Sequence, residues 1–272
     1  MKNIFLTFII GILLTTVACR DSASKKDKPE AEIATDTLSA ADYGQLGRKK
    51  LYMDWEFDAA KEALLKAVEL NPNDALSHAN LAWYWMLEEQ KENSIREIVK
   101  AEKAAPENPL WVLWHGWICY FYDDFECAEQ NLTEAIRMQP QQRDAYFVLG
   151  RMNYRNGNTE AALEWLLKAA QDSTGRAAHA MYYILNNQQK EARIIGEAME
   201  ANPENFEKMF MVPYYDLLGE REKALDWLEQ NYELRQPLLP WLRFMPILRP
   251  MHNEERFKSL VEKIGAPSAA ME

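Results

Sequence analysis

Proline recurs at Pro72, Pro106 and Pro140, an interval of 34 residues held twice, and this constrains the fold more than any other feature of the chain. Ala67, Ala101, Ala135 and Ala169 keep the same interval. So do Leu64, Ile98, Leu132 and Leu166, and the small-residue set Ala60, Ser94, Ala128 and Ala162. In the other half of each unit, Leu81, His115 and Leu149 precede the small residues Ala82, Gly116 and Gly150. A fixed period over that many columns marks a repeat architecture, in which one unit cannot bury its apolar face alone and stacks on its neighbours.

The chemistry of the columns says what each unit is. Ala60, Leu64 and Ala67 fall at i, i+4 and i+7, one stripe of an α-helix, and His78, Leu81, Ala82 and Trp85 have the same spacing. Small residues where the stripes face each other let two antiparallel helices approach closely. The prolines sit past a helix end, where no backbone donor is needed. Only 10 Gly stand against 9 Trp, 12 Tyr and 12 Met, which disfavours Gly-rich phosphate loops and tight-turned β-sandwiches.

This pattern resembles the tetratricopeptide repeat (TPR), and the resemblance covers about residues 40–265. It implies an all-α, right-handed superhelix of about six helix hairpins with a C-terminal capping segment. Clear units begin at Ala41, Ala75, Pro109 and Arg143. A shortened fifth runs over 172–203 and a sixth over 205–236, so the array spans 40–236 and the cap 237–272. The first unit carries Gly44, Gly47 and Arg48 at usual core columns, as expected of a polar capping end. The fifth has Asn186-Asn187-Gln188-Gln189 in place of the usual turn glycine, which leaves its register open. Glu254-Glu255-Arg256-Phe257, with Leu260, Val261 and Ile264, is similar to the last helix that seals many bacterial members. Pro237, Pro240, Pro246 and Pro250 forbid one continuous helix, so the stretch before it must wrap over the end of the array.

Residues 1–18 have one positive charge at Lys2, an apolar run and then small residues, the layout of a secretory signal. Thr16-Val17-Ala18-Cys19 resembles the lipobox of bacterial lipoproteins, with Thr16 departing from the Leu the family prefers. The resemblance implies lipidation at Cys19, and residues 19–39 then read as a flexible polar tether. The formal charge of -11 disfavours nucleic acid, and also anionic headgroups, so membrane attachment falls to the lipid alone. The expected location is the bacterial cell envelope, anchored to a membrane, with the outer membrane favoured and the body periplasmic or surface-exposed.

The sequence carries little that points to chemistry. No metal-ligand, nucleophile or phosphate-loop motif occurs, so no enzyme, metal or cofactor is expected. His78, His115 and His179 fall one per unit in inward columns, where packing is the ordinary role. Asp123-Asp124 reads as a pair of solvated turn carboxylates. Cys119 and Cys127 flank the same turn, where they can form a disulfide or pack as two small apolar side chains; the packing reading is preferred.

What remains is the groove. In TPR superhelices the first helix of each unit lines the concave face, and those positions here are Trp83 and Met86, then Leu113, Trp117 and Tyr120, then Phe147, Arg151, Tyr154 and Arg155. Aromatic rings beside arginine are typical anchors of protein interfaces. The expectation is a membrane-tethered scaffold holding a protein or peptide through this face, with Arg151 and Arg155 placed to take a carboxylate. Glycan or oligosaccharide binding by a lipoprotein of an uptake system is the alternative. The sequence leaves a further arrangement open, in which residues 238–248 fold back and fill the groove.

Overall fold

The computed structural model describes residues 38–171, 175–201, 203 and 205–267. The signal segment, Cys19 and the tether to residue 37 lie outside them. Six antiparallel helix hairpins follow one another: α1 (Ala40–Lys49) with α2 (Phe57–Leu70), α3 (Ala75–Leu87) with α4 (Lys91–Ala104), and α5 (Pro109–Phe121) with α6 (Phe125–Met138). Then come α7 (Arg143–Arg155) with α8 (Thr159–Ala169), α9 (Arg176–Leu185) with α10 (Gln189–Ala201), and α11 (Asn205–Leu217) with α12 (Arg221–Glu233). Helices α3, α5 and α7 start at the 34-residue interval read from the sequence.

Hairpin packing has the predicted cause. A Cβ on Gly116 would meet Leu132 Cγ at 2.7 Å, and one on Gly150 would meet Leu166 Cγ at 2.8 Å. Both leucines are fully buried. Glycine at these crossings is therefore a packing requirement, since any side chain would push the paired helices apart.

Each hairpin turn is made by one residue in the left-handed region: Trp55, Glu89, Asp123, Gly157, Asn187 and Gly219. The first four are 34 residues apart. Behind the left-handed residue an N–H reaches back five positions, as in Gln90 to Trp85 O and Asp124 to Cys119 O, both at 2.9 Å. This is the Schellman closure of a helix end. It resolves the fifth unit: Asn187 at φ 56° does what Gly157 and Gly219 do, and asparagine is among the few other residues that accept that backbone.

The first unit differs from expectation in an instructive way. Gly47 is the crossing residue, because its Cβ would meet Leu64 Cγ at 2.6 Å. It stands 17 residues before its leucine, where Gly116 and Gly150 stand 16 before theirs. The extra residue is absorbed by a π-helical turn, Lys50–Asp54, after which Trp55 is back in register. A π turn accommodates one more residue than an α turn.

After α12 the chain forms two 3₁₀ segments, Leu239–Phe244 and Pro246–Met251, then α13 (Glu255–Ile264). Arg256 of α13 pairs with Glu222, Asp226 and Glu229 of α12, while Phe257 is buried. The crossover does not only cover the last hairpin. It runs back along the concave face to the second unit. The first and last hairpins also meet: Arg235 donates to Asp54 O at 2.9 Å, and Tyr232 packs on Trp55 with centroids 5.8 Å apart.

Candidate functional site, a concave face filled by the crossover

The groove positions predicted from the sequence share one face, but that face is occupied. Trp83 and Trp117 are each 2% exposed, and Met86, Leu113 and Tyr120 are fully buried. Trp241 of the crossover, itself 0% exposed, stands edge-on to Trp83 at 5.4 Å and tilts against Tyr52 at 5.2 Å. Its indole N–H donates to Trp83 O at 2.8 Å. Phe147 is buried against Phe210 of α11 at 5.6 Å. An open aromatic groove is therefore corrected to a filled one. The cause is the hydrophobic effect: the apolar crossover packs between the groove on one side and α11 and α13 on the other, and covering the rings removes both surfaces from water.

Polar contacts fix where the crossover lies. Arg243 donates to the carbonyls of Leu87 and Pro267 and pairs with Glu89 at 3.2 Å. Arg155 donates to Pro246 O at 2.9 Å, and Arg221 donates to Pro250 O at 2.7 Å. Asp123 binds Arg249 and lies 3.6 Å from Arg155. The pair Asp123-Asp124, read from sequence as solvated, is thus engaged by other side chains. Asp123 holds the crossover, while Asp124 caps α6 through Cys127 N and pairs with Lys91 at 3.0 Å. Sequence reasoning missed Arg249, Arg243 and Arg221, whose partners lie up to 156 residues away. No local spacing could have signalled them.

The remaining candidates resolve individually. His78 Nδ1 lies 2.6 Å from Glu97 Oε2 and its Nε2 lies 2.9 Å from Pro72 O, a buried structural link between α3, α4 and the preceding loop. Burial works to raise the Glu97 carboxyl, but hydrogen bonds from His78 and Lys100 outweigh it and hold the group below its ordinary value. His115 lies 2.9 Å from Glu102, and His179 stacks on Tyr183. Cys119 and Cys127 form a disulfide with Cα atoms 5.7 Å apart, which corrects the preference for unbonded packing residues. The two facing helices hold the Cβ atoms within bridging reach.

One part of the groove stays unfilled. A cleft of about 50 Å³ lies between α5, α7, α11 and the crossover, with Trp117, Phe210, Leu238 and Ile247 among its apolar walls and Arg151 and Gln236 as polar ones. Arg151 is 7% exposed and lies over the rings of Phe147 and Tyr120, 5.5 and 5.8 Å from their centroids. Its Nε has no hydrogen-bond partner. Burial pushes the Tyr120 phenol above its usual value, with Arg151 and Arg155 opposing. Tyr154 and Arg155, the other two predicted positions, are half-buried.

Stacked helix hairpins at a 34-residue interval, crossing on glycine or alanine and closed by left-handed turns, define a TPR α-solenoid. Residues 123–178 match the tetratricopeptide repeat family model. A TPR repeat-containing protein of Methanocaldococcus jannaschii is 23% identical over 171 residues, which is 57% of this chain and 30% of that protein, so the match spans less than a third of the relative's length. Among solved structures, pilF of Pseudomonas aeruginosa superposes with a TM-score of 0.51 at 19% identity, over 82% of this chain and 97% of that one. PilW, described as a widely conserved type IV pilus biogenesis factor, superposes with a TM-score of 0.52 at 12% identity, over 82% and 98%. At these identities the structural likeness is one of fold.

Proposed function

We propose that this chain is a non-enzymatic scaffold of the bacterial cell envelope, lipid-anchored to a membrane through Cys19, that recognises a protein or peptide partner through the unfilled part of its concave face. The observation that carries the reading is the cleft at Arg151. A solenoid whose own crossover covers most of its groove leaves, among the described residues, a concave opening where apolar walls and a cation converge. Concave, largely apolar pockets with few convergent polar groups are the ordinary form of a binding site. The net charge of -11 disfavours nucleic acid as partner. Lipid attachment would raise the local concentration of the scaffold at the membrane without needing a basic surface.

The experiment is site-specific photocrosslinking in cells from a residue replacing Leu238, at the cleft wall, with replacement of exposed Leu167 on the outer side as control. A discrete crosslinked polypeptide from the first position and none from the second supports the reading. No polypeptide adduct, with retention of oligosaccharides on a glycan array instead, favours the glycan alternative. The lining argues against that alternative, since sugar sites want convergent amides and carboxylates and Gln236 is the one amide here.

A further inference from the structure

We propose that the cleft binds a carboxylate carried on an apolar body, with the Arg151 guanidinium as its counter-ion. The inference rests on the scaffold reading above and narrows its partner to a chemical class.

Arginine keeps its charge at any physiological pH, so a guanidinium at 7% exposure must be met by an anion, by water or by ring faces. Two rings flank Arg151 and the Tyr120 hydroxyl lies within its reach, yet its Nε is left unpartnered, and it forms no ion pair among the described residues. The neighbouring acid cannot serve it. Asp123 is shared between Arg249 and Arg155. Arg151 is the one charged side chain in the cleft lining, and no carboxylate lines it. The pocket is thus short of negative charge, and an unpaired buried charge is costly.

Shape supplies the rest of the ligand. The walls are apolar side chains, so the body attached to the anion is apolar too. A volume of about 50 Å³ admits a carboxylate and a short hydrophobic group, with the rest leaving through the open side. A planar carboxylate matches the guanidinium fork, and the ring stacking already holds that fork in one orientation. This chemistry has two natural sources, the C-terminal residue of a polypeptide and a fatty acid.

The test uses the full chain with N-acetylphenylalanine, its primary amide and decanoate as probes, read by calorimetry and by fluorescence of Trp117 in the cleft wall. The acid is expected to bind at least tenfold more tightly than the amide. Arg151→Met should abolish that preference, and Arg151→Lys should retain part of it. Equal affinity for acid and amide, or undiminished binding by Arg151→Met with its far-UV spectrum unchanged, overturns the proposal. Should Arg151→Met fold poorly, the acid-to-amide ratio in the unaltered protein decides alone. Binding of decanoate with the same dependence on Arg151, and none of N-acetylphenylalanine, keeps the carboxylate site and removes the peptide reading. Crosslinking of a polypeptide from position 238 with no discrimination between acid and amide does the reverse. Binding of none of the probes overturns the site.

Discussion

The indole N–H of Trp241 donates to the backbone carbonyl of Trp83 at 2.8 Å, joining residues 158 apart in sequence and seating the crossover on the concave face of the second hairpin. That bond gives the fully buried indole N–H its acceptor, and a buried donor left without one is costly. It turns what the sequence presents as a ligand groove into a core.

The crossover should therefore behave as a structural element of the whole array. Trp241→Ala is expected to destabilise the protein by about 3–5 kcal/mol, through lost aromatic burial and the cavity it leaves. Trp241→Phe should cost less, about 1–3 kcal/mol, because it removes chiefly the hydrogen bond. Urea unfolding measures both. Increased binding of a hydrophobic dye by Trp241→Ala at native conditions would report exposure of Trp83 and Trp117; no increase would mean that another segment replaces the crossover.

Glycines at crossings and at turns should respond to alanine for different reasons. Gly150→Ala brings a Cβ to 2.8 Å from Leu166 Cγ, and overpacking of that kind costs about 1–3 kcal/mol. Gly157→Ala meets nothing within 4 Å, so its cost is the left-handed backbone at φ 80°, about 1–2 kcal/mol. The two separate on rescue: shortening Leu166 to alanine should recover part of the Gly150 loss and none of the Gly157 loss.

Asn187 should accept glycine without loss, and Asn187→Val should cost about 1–2 kcal/mol, since a β-branched residue is ill-suited to φ 56°. Thermal denaturation of the pair decides whether Asn187 is the turn residue of the shortened unit. Equal stability of the two variants would place the strain elsewhere.

Stability should carry an acid-side signature from Glu97. Its carboxyl is held below the ordinary value of 4.5, so the ionised form is favoured by folding. That contribution is present above the unfolded value and is lost as pH falls through the lower, folded value. Glu97→Gln should therefore be less stable than the unaltered protein by about 1.5–3 kcal/mol at pH 6, and the gap should narrow as pH falls below 4.5. A gap independent of pH would assign the loss to packing.

Reduction of the Cys119–Cys127 disulfide, which closes a loop of sequence separation 8, should cost about 2–3 kcal/mol. Urea unfolding with and without a dithiol reductant measures it, with Cys119→Ser/Cys127→Ser insensitive to reductant. Separately, Cys19→Ser is expected to move the protein from the membrane to the soluble fraction of the cell, and retention at the membrane would remove the lipid anchor from the proposed function.

The repeat, the helices and their pairing were legible in the sequence because their causes are local. A 34-residue interval, an i, i+4, i+7 stripe and a small residue at each crossing act within one hairpin or between neighbours. Even the departures obey local chemistry: Asn187 replaces a glycine, and the π turn at Lys50–Asp54 absorbs one extra residue. What only the tertiary structure decided was the fate of the concave face. Whether Trp83 and Trp117 meet a partner or Trp241 and Ile247 depends on how the solenoid curls, and the curl sums small rotations over six hairpins. It also depends on ties between remote residues, as of Arg235 to Asp54 across 181 positions and of Arg249 to Asp123 across 126. Hydrophobicity and charge say that such residues need covering or pairing, but not by what. Hence the sequence identified Arg151 and Arg155 as equals, and the fold distinguished them: one is tied to Pro246, and the other is left facing an unfilled cleft.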